Sequence, residues 1–233
     1  MVKYISAIII GAGLLACSSV KVKTDSNSIE VVASSNSENI IDSLISPYKD
    51  SLESEMLEVL AYANQDFVKG RPSGSLNNWS ADVILQSQIR NTRLSAPTFC
   101  LLNVGGLRNT INKGDVTLGD IYKVMPFDNE IVWVEMPIEC MKDIEAYLKN
   151  SGGEPIAGAH VENGELKIDG VNDQTKKVWV ITSDYLMNGG DRMVFFEKRI
   201  SARLTGLLMR DAMINEAKLQ GVLVWSDENR IVL

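Results

Sequence analysis

The chain has 233 residues, of which 45% are hydrophobic and 23% charged, so it can bury a sizeable core as a single domain. Thirty acidic residues outnumber 23 basic ones, and the net charge at pH 7 is −7. This balance argues against a nucleic-acid polymer as ligand, although one or two local arginines can still hold a small anion.

The first residues are typical of an export signal rather than of a fold. Lys3 precedes an apolar run over residues 5–16, which is too short to span a bilayer comfortably. The run ends in Leu-Leu-Ala-Cys17, which resembles the bacterial lipobox, whose cysteine is lipidated and becomes the first residue. We expect residues 1–16 to be a lipoprotein signal peptide and Cys17 to anchor the protein to a membrane of the bacterial cell envelope, in the periplasm or at the cell surface. Ordinary secretion with Cys17 unmodified is the alternative.

Residues 17–38 are polar, rich in Ser, Asn and Lys, and without periodicity, which predicts a flexible tether before a domain over residues 39–233. The domain opens with apolar residues at helical spacing. They are Ile40, Ile41, Leu44, Ile45, Leu52, Met56, Leu57 and Leu60. Pro47 predicts a break between two helical pieces, or the first turn of the second. Ser75 is expected to cap a further helix that carries an apolar face.

A strand over residues 98–102 leads into Asn103-x-Gly-Gly-x-Arg108. Gly105 and Gly106 would let the backbone take a positive φ and let another group approach closely. Arg108 would place a planar cation beside exposed backbone N–H groups, an arrangement that suits a carboxylate or a phosphate. The alternative is an ordinary glycine turn beside a surface arginine.

A second turn over residues 125–129 follows a short helix that begins at Thr117. Pro126 stiffens this turn, and Phe127 lies where a ring can be presented rather than buried. Residues 131–136 form an almost continuous apolar run, which predicts an inner strand.

The remaining segments mix helices, a hairpin and strands without a strict βαβ repeat, which favours an α+β fold. Pro137 opens a helix that ends at Gly152, and Asn163-Gly164 marks a tight hairpin. A buried strand is predicted over residues 177–182. A last helix is expected to carry Leu207, Leu208, Asp211, Ile214 and Lys218, followed by a return strand over residues 222–225.

A third motif, Asp184-Tyr185-Leu-x-x-Gly-Gly-Asp191, again runs from a strand into a glycine turn that closes on an acid. With the Asn103 to Arg108 motif and Met-Pro-Phe127-x-Asn129, its order and spacing resemble the C-terminal domain of the 5'-nucleotidase family. The resemblance extends from near residue 41 to residue 230. It implies a single domain with helices layered outside two central mixed β-sheets, in an α/β/β/α arrangement.

The resemblance also implies roles for residues at matching positions. Phe127 and Tyr185 would sandwich the base, and Asp191, after the Gly189-Gly190 turn, would accept hydrogen bonds from ribose hydroxyls. For Phe127 the alternative is core packing.

Asn103 and Arg108 match groups on the sugar and phosphate side, and Arg71 corresponds to a second phosphate contact. Asn103 could instead cap its own turn, and Arg71 could be a solvated surface residue. Arg192 replaces a small residue of the family pattern and would either crowd the pocket or add a cation.

Groups that could hold a catalytic metal are scarce in this sequence. A two-metal phosphoesterase needs about six to eight ligands, commonly including several histidines, whereas the chain has one histidine, His160. We therefore predict no catalytic residue, metal site or cofactor in this chain, and expect a divalent dimetal centre only in a partner. Cys100 and Cys140 are expected to be buried free thiols rather than a disulfide.

These observations favour a nucleotide- or nucleoside-binding domain that acts with a separate metallophosphatase chain in nucleotide catabolism, and that is inactive alone. The alternatives are a stand-alone cell-envelope nucleoside-binding lipoprotein without an enzymatic role and a structural lipoprotein that keeps only the fold.

Overall fold

The computed structural model describes residues 35–233, with side chains from residue 43. The predictions for residues 1–34, including the signal peptide, Cys17 and most of the tether, lie outside these residues. Residues 46–233 form one compact unit that holds the fold, and the described residues before it, 35–45, belong to a separate unit.

Helices and strands alternate irregularly along the described chain. The helices are α1 Ser35–Met56, α2 Ser75–Ile89, α3 Leu118–Val124, α4 Met141–Ser151, α5 Asp184–Met187 and α6 Met209–Gln220. The strands are β1 Val59–Ala63, β2 Thr98–Leu101, β3 Gly114–Thr117, β4 Glu130–Pro137, β5 Ile156–Ala157, β6 Ala159–Glu162, β7 Glu165–Ile168, β8 Lys177–Ser183 and β9 Ser201–Leu208. Within residues 35–233, none of the helices has the length and apolar character needed to cross a membrane.

The largest sheet has five strands in the order β5-β2-β8-β4-β9. β2 and β8 are parallel, and the other neighbouring pairs are antiparallel. Two two-stranded sheets, β1 with β3 and β6 with β7, complete the structure. The predicted α+β fold is confirmed.

Both faces of the five-stranded sheet are covered by apolar side chains. In β4, Val132 and Val134 belong to one buried cluster, which includes Ile144 of α4, whereas Trp133 belongs to another, which includes Trp79 of α2. Because successive strand residues point to opposite faces, an almost continuous apolar run serves both clusters. Each large side chain that is fully buried contributes roughly 1.5–3 kcal/mol.

Several local predictions are confirmed by cap and turn geometry. The Thr117 hydroxyl accepts a hydrogen bond from Asp120 N, and the Asp120 carboxylate accepts one from Thr117 N, so a capping box starts α3. The hairpin between β6 and β7 turns at Asn163 and Gly164, with φ angles of 51° and 77°. Gly152 ends α4 in the left-handed conformation.

The N-terminal helix differs from its prediction. α1 is continuous through Pro47, because a proline removes one backbone hydrogen bond but does not oblige a helix to end. It begins at Ser35, so residues 35–38 of the predicted tether are helical. Leu60, which was predicted to be helical, lies in β1, where it is buried.

Three further predictions are corrected near the two ends of the domain. Leu207 and Leu208 belong to β9, which pairs with β4, rather than to the last helix. Val222 forms a single bridge with Tyr62 instead of opening a strand. Ser75 is the first residue of α2, and its hydroxyl accepts a hydrogen bond from Val68 N, so it ties down the preceding loop rather than capping the helix.

Cys100 and Cys140 are buried free thiols, as predicted. Burial, and then the charge of Asp82, raises the pKa of Cys100 well above its ordinary value, so this thiol stays protonated and inert.

Candidate functional site

A pocket of about 300 Å³ lies where two parallel strands end. Because β2 and β8 are parallel neighbours, the loops that follow them emerge at the same edge of the sheet. The turn before β4 joins them there, since β4 runs antiparallel to β8. The residues that line the pocket are Asn103, Gly105, Gly106, Arg108, Phe127, Asn129, Tyr185 and Asp191.

The structure therefore brings the three sequence motifs together in one cavity. Every predicted binding residue except Arg71 lines it. Gly189 and Gly190 form the turn that leads to Asp191. Arg192 is exposed and is not among the lining residues.

Two aromatic rings of the pocket are open to solvent. Phe127 is 40% exposed and Tyr185 is 47% exposed, so the core does not hold either ring. The guanidinium carbon of Arg108 lies 5.9 Å from the centroid of the Phe127 ring. A planar ligand would thus meet two accessible π-faces beside a fixed cation.

Both carboxylate oxygens of Asp191 accept hydrogen bonds from other residues of the pocket. Its Oδ2 accepts a hydrogen bond from Asn103 Nδ2 at 2.6 Å, and its Oδ1 accepts one from the Tyr185 hydroxyl at 2.9 Å. Tyr147 also donates its hydroxyl to the Asp191 carbonyl, at 3.0 Å. Asp191 has a φ of 49°, a conformation that a non-glycine residue keeps only when its surroundings hold it.

Close approach, rather than positive φ, explains two of the glycines. A Cβ on Gly190 would lie 2.5 Å from the Tyr185 ring, and one on Gly106 would lie 2.8 Å from Asn103 Oδ1. The positive φ predicted at Gly105 and Gly106 is wrong, because both lie in a 3₁₀ turn over Val104–Gly106. Gly189 does have a positive φ, of 88°.

Asn103 does not cap its own turn through its side chain. Its amide instead reaches Asp191, which is 88 positions later in the chain. The side chain therefore joins the loops that follow β2 and β8.

Arg71 lies outside the pocket and supports it indirectly. Its guanidinium donates to the carbonyls of Ser151 and Gly153 and to Glu154 Oε1, at 2.9 Å from the last. Glu154 Oε2 accepts a hydrogen bond from Val104 N at 2.8 Å. Arg71 is thus engaged by protein groups and linked through Glu154 to the turn that carries the pocket glycines.

Sequence reasoning did not find Glu154 or Tyr147, whose roles depend on tertiary contacts. Burial raises the pKa of the Glu154 carboxyl, and hydrogen bonds from Val104 N and Arg71 oppose that rise. Burial and the nearby charges of Glu154 and Asp191 raise the pKa of Tyr147 to about 12, so its hydroxyl remains a donor at neutral pH. Asn129, which belongs to the Met-Pro-Phe127-x-Asn129 motif, also lines the pocket.

Among the residues with described side chains, no cluster of three or more His, Cys, Asp or Glu side chains could hold a metal ion. His160 is exposed in β6, beside the hairpin. The pocket has two aromatic rings that can stack on a planar group, a carboxylate that can accept hydrogen bonds from hydroxyls, and an arginine that can pair with an anion. This combination suits the binding of a ligand that carries all three groups.

Part of the chain is similar in sequence to known proteins. Residues 58–143 match the family described as "5'-nucleotidase, C-terminal domain". A 5'-nucleotidase of Vibrio parahaemolyticus is 28% identical over 92 residues, which is 39% of this chain and 16% of that protein.

Solved structures extend the likeness to most of the chain. The 5'-nucleotidase precursor of Thermus thermophilus superposes with a TM-score of 0.66 at 21% identity, over 83% of this chain and 43% of that one. The NAD nucleotidase of Haemophilus influenzae superposes with a TM-score of 0.60 at 17% identity, over 83% of this chain and 41% of that one. At these identities the structures establish the fold, and this chain spans less than half of each.

Proposed function

We propose that this chain, whose residues 58–143 match the C-terminal domain of the 5'-nucleotidases, binds a nucleotide or nucleoside in its pocket as the substrate-specificity half of a nucleotide phosphohydrolase. One observation carries the proposal. Two exposed rings, a bonded carboxylate and an arginine line the same 300 Å³ cavity.

The base would stack between Phe127 and Tyr185. Both rings are accessible, and the hydroxyl of Tyr185 is tied to Asp191, which limits rotation of that ring. Every base has a π-face, so stacking holds any of the bases, at roughly 1–3 kcal/mol for each.

The ribose and the phosphate would lie toward the polar end of the pocket. An ionised carboxylate has only acceptors, and each oxygen of Asp191 keeps a lone pair after accepting one hydrogen bond from the protein. Arg108 has no carboxylate partner among the described residues, so its guanidinium can meet a phosphate.

We propose that hydrolysis requires a divalent dimetal centre on a separate metallophosphatase chain. Two metals would generate the attacking hydroxide and clamp the phosphoryl oxygens. The scarcity of histidine in the sequence and of ligand clusters in the described region supports this assignment.

We also propose that the protein is a lipoprotein of the bacterial cell envelope, held to a membrane through Cys17. The apolar run that ends in Leu-Leu-Ala-Cys supports it. Such an anchor would keep the domain beside exported nucleotides and an exported partner.

Calorimetric titration with adenosine and with AMP tests the binding function. The parent protein should bind both ligands, with AMP the tighter. Arg108→Ala should raise the Kd for AMP by about tenfold and leave the Kd for adenosine within about twofold of the parent value. The reason is that a hydrogen bond to a charged group contributes about 1.5–3 kcal/mol. Arg203→Ala, which removes an arginine that does not line the pocket, is the matched control. If the parent binds neither ligand, the proposal is wrong.

A further inference from the structure

Arg210, the second residue of α6, lies beneath the turn that carries Phe127 and is not part of the pocket lining. Its side chain is 9% exposed. One terminal nitrogen lies 2.5 Å from Asp128 Oδ1, and the other lies 3.5 Å from the Phe127 carbonyl oxygen. The guanidinium carbon lies 4.3 Å from the centroid of the Tyr122 ring, in the helix before the turn.

The position of the Phe127 ring depends on the backbone of this turn. The ring is 40% exposed, and it is contacted by the guanidinium of Arg108, whose central carbon lies 5.9 Å from the ring centroid. At the end of the turn, Met209 N donates to the Asn129 carbonyl at 2.9 Å, so both contacts from α6 are made by its first two residues.

α6 can transmit rigidity to this turn because it is anchored in the core. Met209, Ala212, Met213 and Ala217 are buried in the cluster that also holds α2. Arg210 is therefore a buried link between a packed helix and the turn that carries the exposed Phe127 ring.

Three features separate this link from an ordinary surface ion pair. Its carboxylate partner, Asp128, is 76% exposed, whereas Arg210 itself is buried. The Nε of Arg210 is buried without a hydrogen-bond partner among the described residues, which is a cost to stability rather than a gain. A planar guanidinium can stack on Tyr122 while its terminal nitrogens reach Asp128 and Phe127, and an ammonium cannot do both.

We propose that Arg210 is a positioning residue that sets the Phe127 ring at the correct spacing for a base, a role that rests on the proposed function of the pocket. It acts through the turn and does not touch the ligand. It should therefore control affinity for the base and leave affinity for the sugar phosphate unaltered.

The test compares AMP with ribose 5-phosphate, which lacks the base, in calorimetric titrations of the full chain. Arg210→Lys should raise the Kd for AMP by about tenfold and change that for ribose 5-phosphate by less than about twofold. Asp128→Asn, on the exposed side of the same contact, should give a smaller loss of the same selectivity. Arg203→Lys is the matched control, because Arg203 stacks on Trp133 at 5.3 Å but lies away from the pocket.

Equal losses for the two ligands would reveal a merely structural role and overturn the proposal, as would unchanged affinity for AMP. If the parent protein binds neither ligand, the proposed function fails, and amide hydrogen exchange of the free protein then decides the role of Arg210. Faster exchange confined to residues 125–129 in Arg210→Lys would support it, and unchanged exchange there would overturn it.

Discussion

Asn103 Nδ2 and Asp191 Oδ2 lie 2.6 Å apart, so a single hydrogen bond joins the two glycine turns of the pocket. The residues are 88 positions apart in the chain, and the parallel pairing of β2 with β8 brings them together. Because the Tyr185 hydroxyl bonds the other Asp191 oxygen, the carboxylate has a fixed orientation before any ligand arrives. Such preorganisation lowers the entropic cost of binding.

Removing either ring should weaken nucleoside binding without unfolding the protein. Phe127→Ala and Tyr185→Ala should each cost about 1–3 kcal/mol of adenosine binding, because each removes one stacking face. The thermal midpoint should stay close to that of the parent, since both rings are at least 40% exposed. Calorimetric titration and thermal unfolding measure the two effects. If both variants bind like the parent, or if both unfold, the sandwich is wrong.

The glycine pair before Asp191 allows a sharper comparison. Gly190→Ala should weaken adenosine binding, because the new Cβ would meet the Tyr185 ring at 2.5 Å and displace it. Gly189→Ala is the matched control: nothing lies within 4 Å of its Cβ, but its φ of 88° makes alanine strained. That variant should lose about 1 kcal/mol or more of stability. The prediction fails if Gly190→Ala binds adenosine as the parent does.

The sequence predicted those parts of the fold that local chemistry determines. The helix start at Thr117, the Asn163-Gly164 hairpin and the apolar run of β4 each carry a local signal, and each was found. β9 was missed because it is an exposed edge strand without alternating burial, interrupted by Gly206 at a φ of 75°. Its pairing with β4 is a tertiary contact that no local pattern reports.

For the site, residue type and motif order identified the residues that line the pocket, but not the residues that hold them in place. Phe127, Tyr185 and Asp191 came from motifs whose order matched a family. Tyr147 and Glu154 act through hydrogen bonds to loops that are distant in the chain, Tyr147 to the Asp191 carbonyl and Glu154 to Val104 N and Arg71. Nothing in the spacing of a tyrosine or a glutamate indicates such a partner.

The stability of the protein should depend on pH through Glu154, whose carboxylate accepts a hydrogen bond from the turn at Val104. Burial raises the pKa of this carboxyl above its ordinary value of 4.5. Between the two values the native state keeps a proton that the unfolded state has lost, so the free energy of unfolding falls as the pH rises. We expect urea unfolding of the parent and of Glu154→Gln, from about pH 4 to about pH 7, to show one trend. The free energy of unfolding of the parent, relative to that of the variant, should fall as the pH rises and then level off. A free energy of unfolding of the parent that rises with pH relative to that of the variant would contradict this assignment.

Cys17→Ser should move the protein from the membrane fraction to the soluble fraction of cells. Two or more acyl chains anchor a protein stably, whereas a hydroxyl at this position cannot be lipidated. Fractionation with labelled palmitate measures both attachment and location, with Ser18→Ala as the control. Retention of the Cys17→Ser protein in membranes would overturn the lipoprotein proposal.

The purified chain should release no phosphate from AMP, with or without added divalent metal. In a two-metal phosphoesterase, in-line displacement at neutral pH uses a metal-bound hydroxide and a metal clamp on the phosphoryl oxygens. Arg108 can attract a phosphate but cannot lower the pKa of water, and no group of three metal-ligating side chains occurs in the region with described side chains. Adding a candidate metallophosphatase chain should restore turnover, with Arg108→Ala raising KM in the mixture. Metal-dependent hydrolysis by the single chain, abolished by a substitution within it, would show that a metal centre is built from its own carboxylates and that the two-chain proposal is wrong.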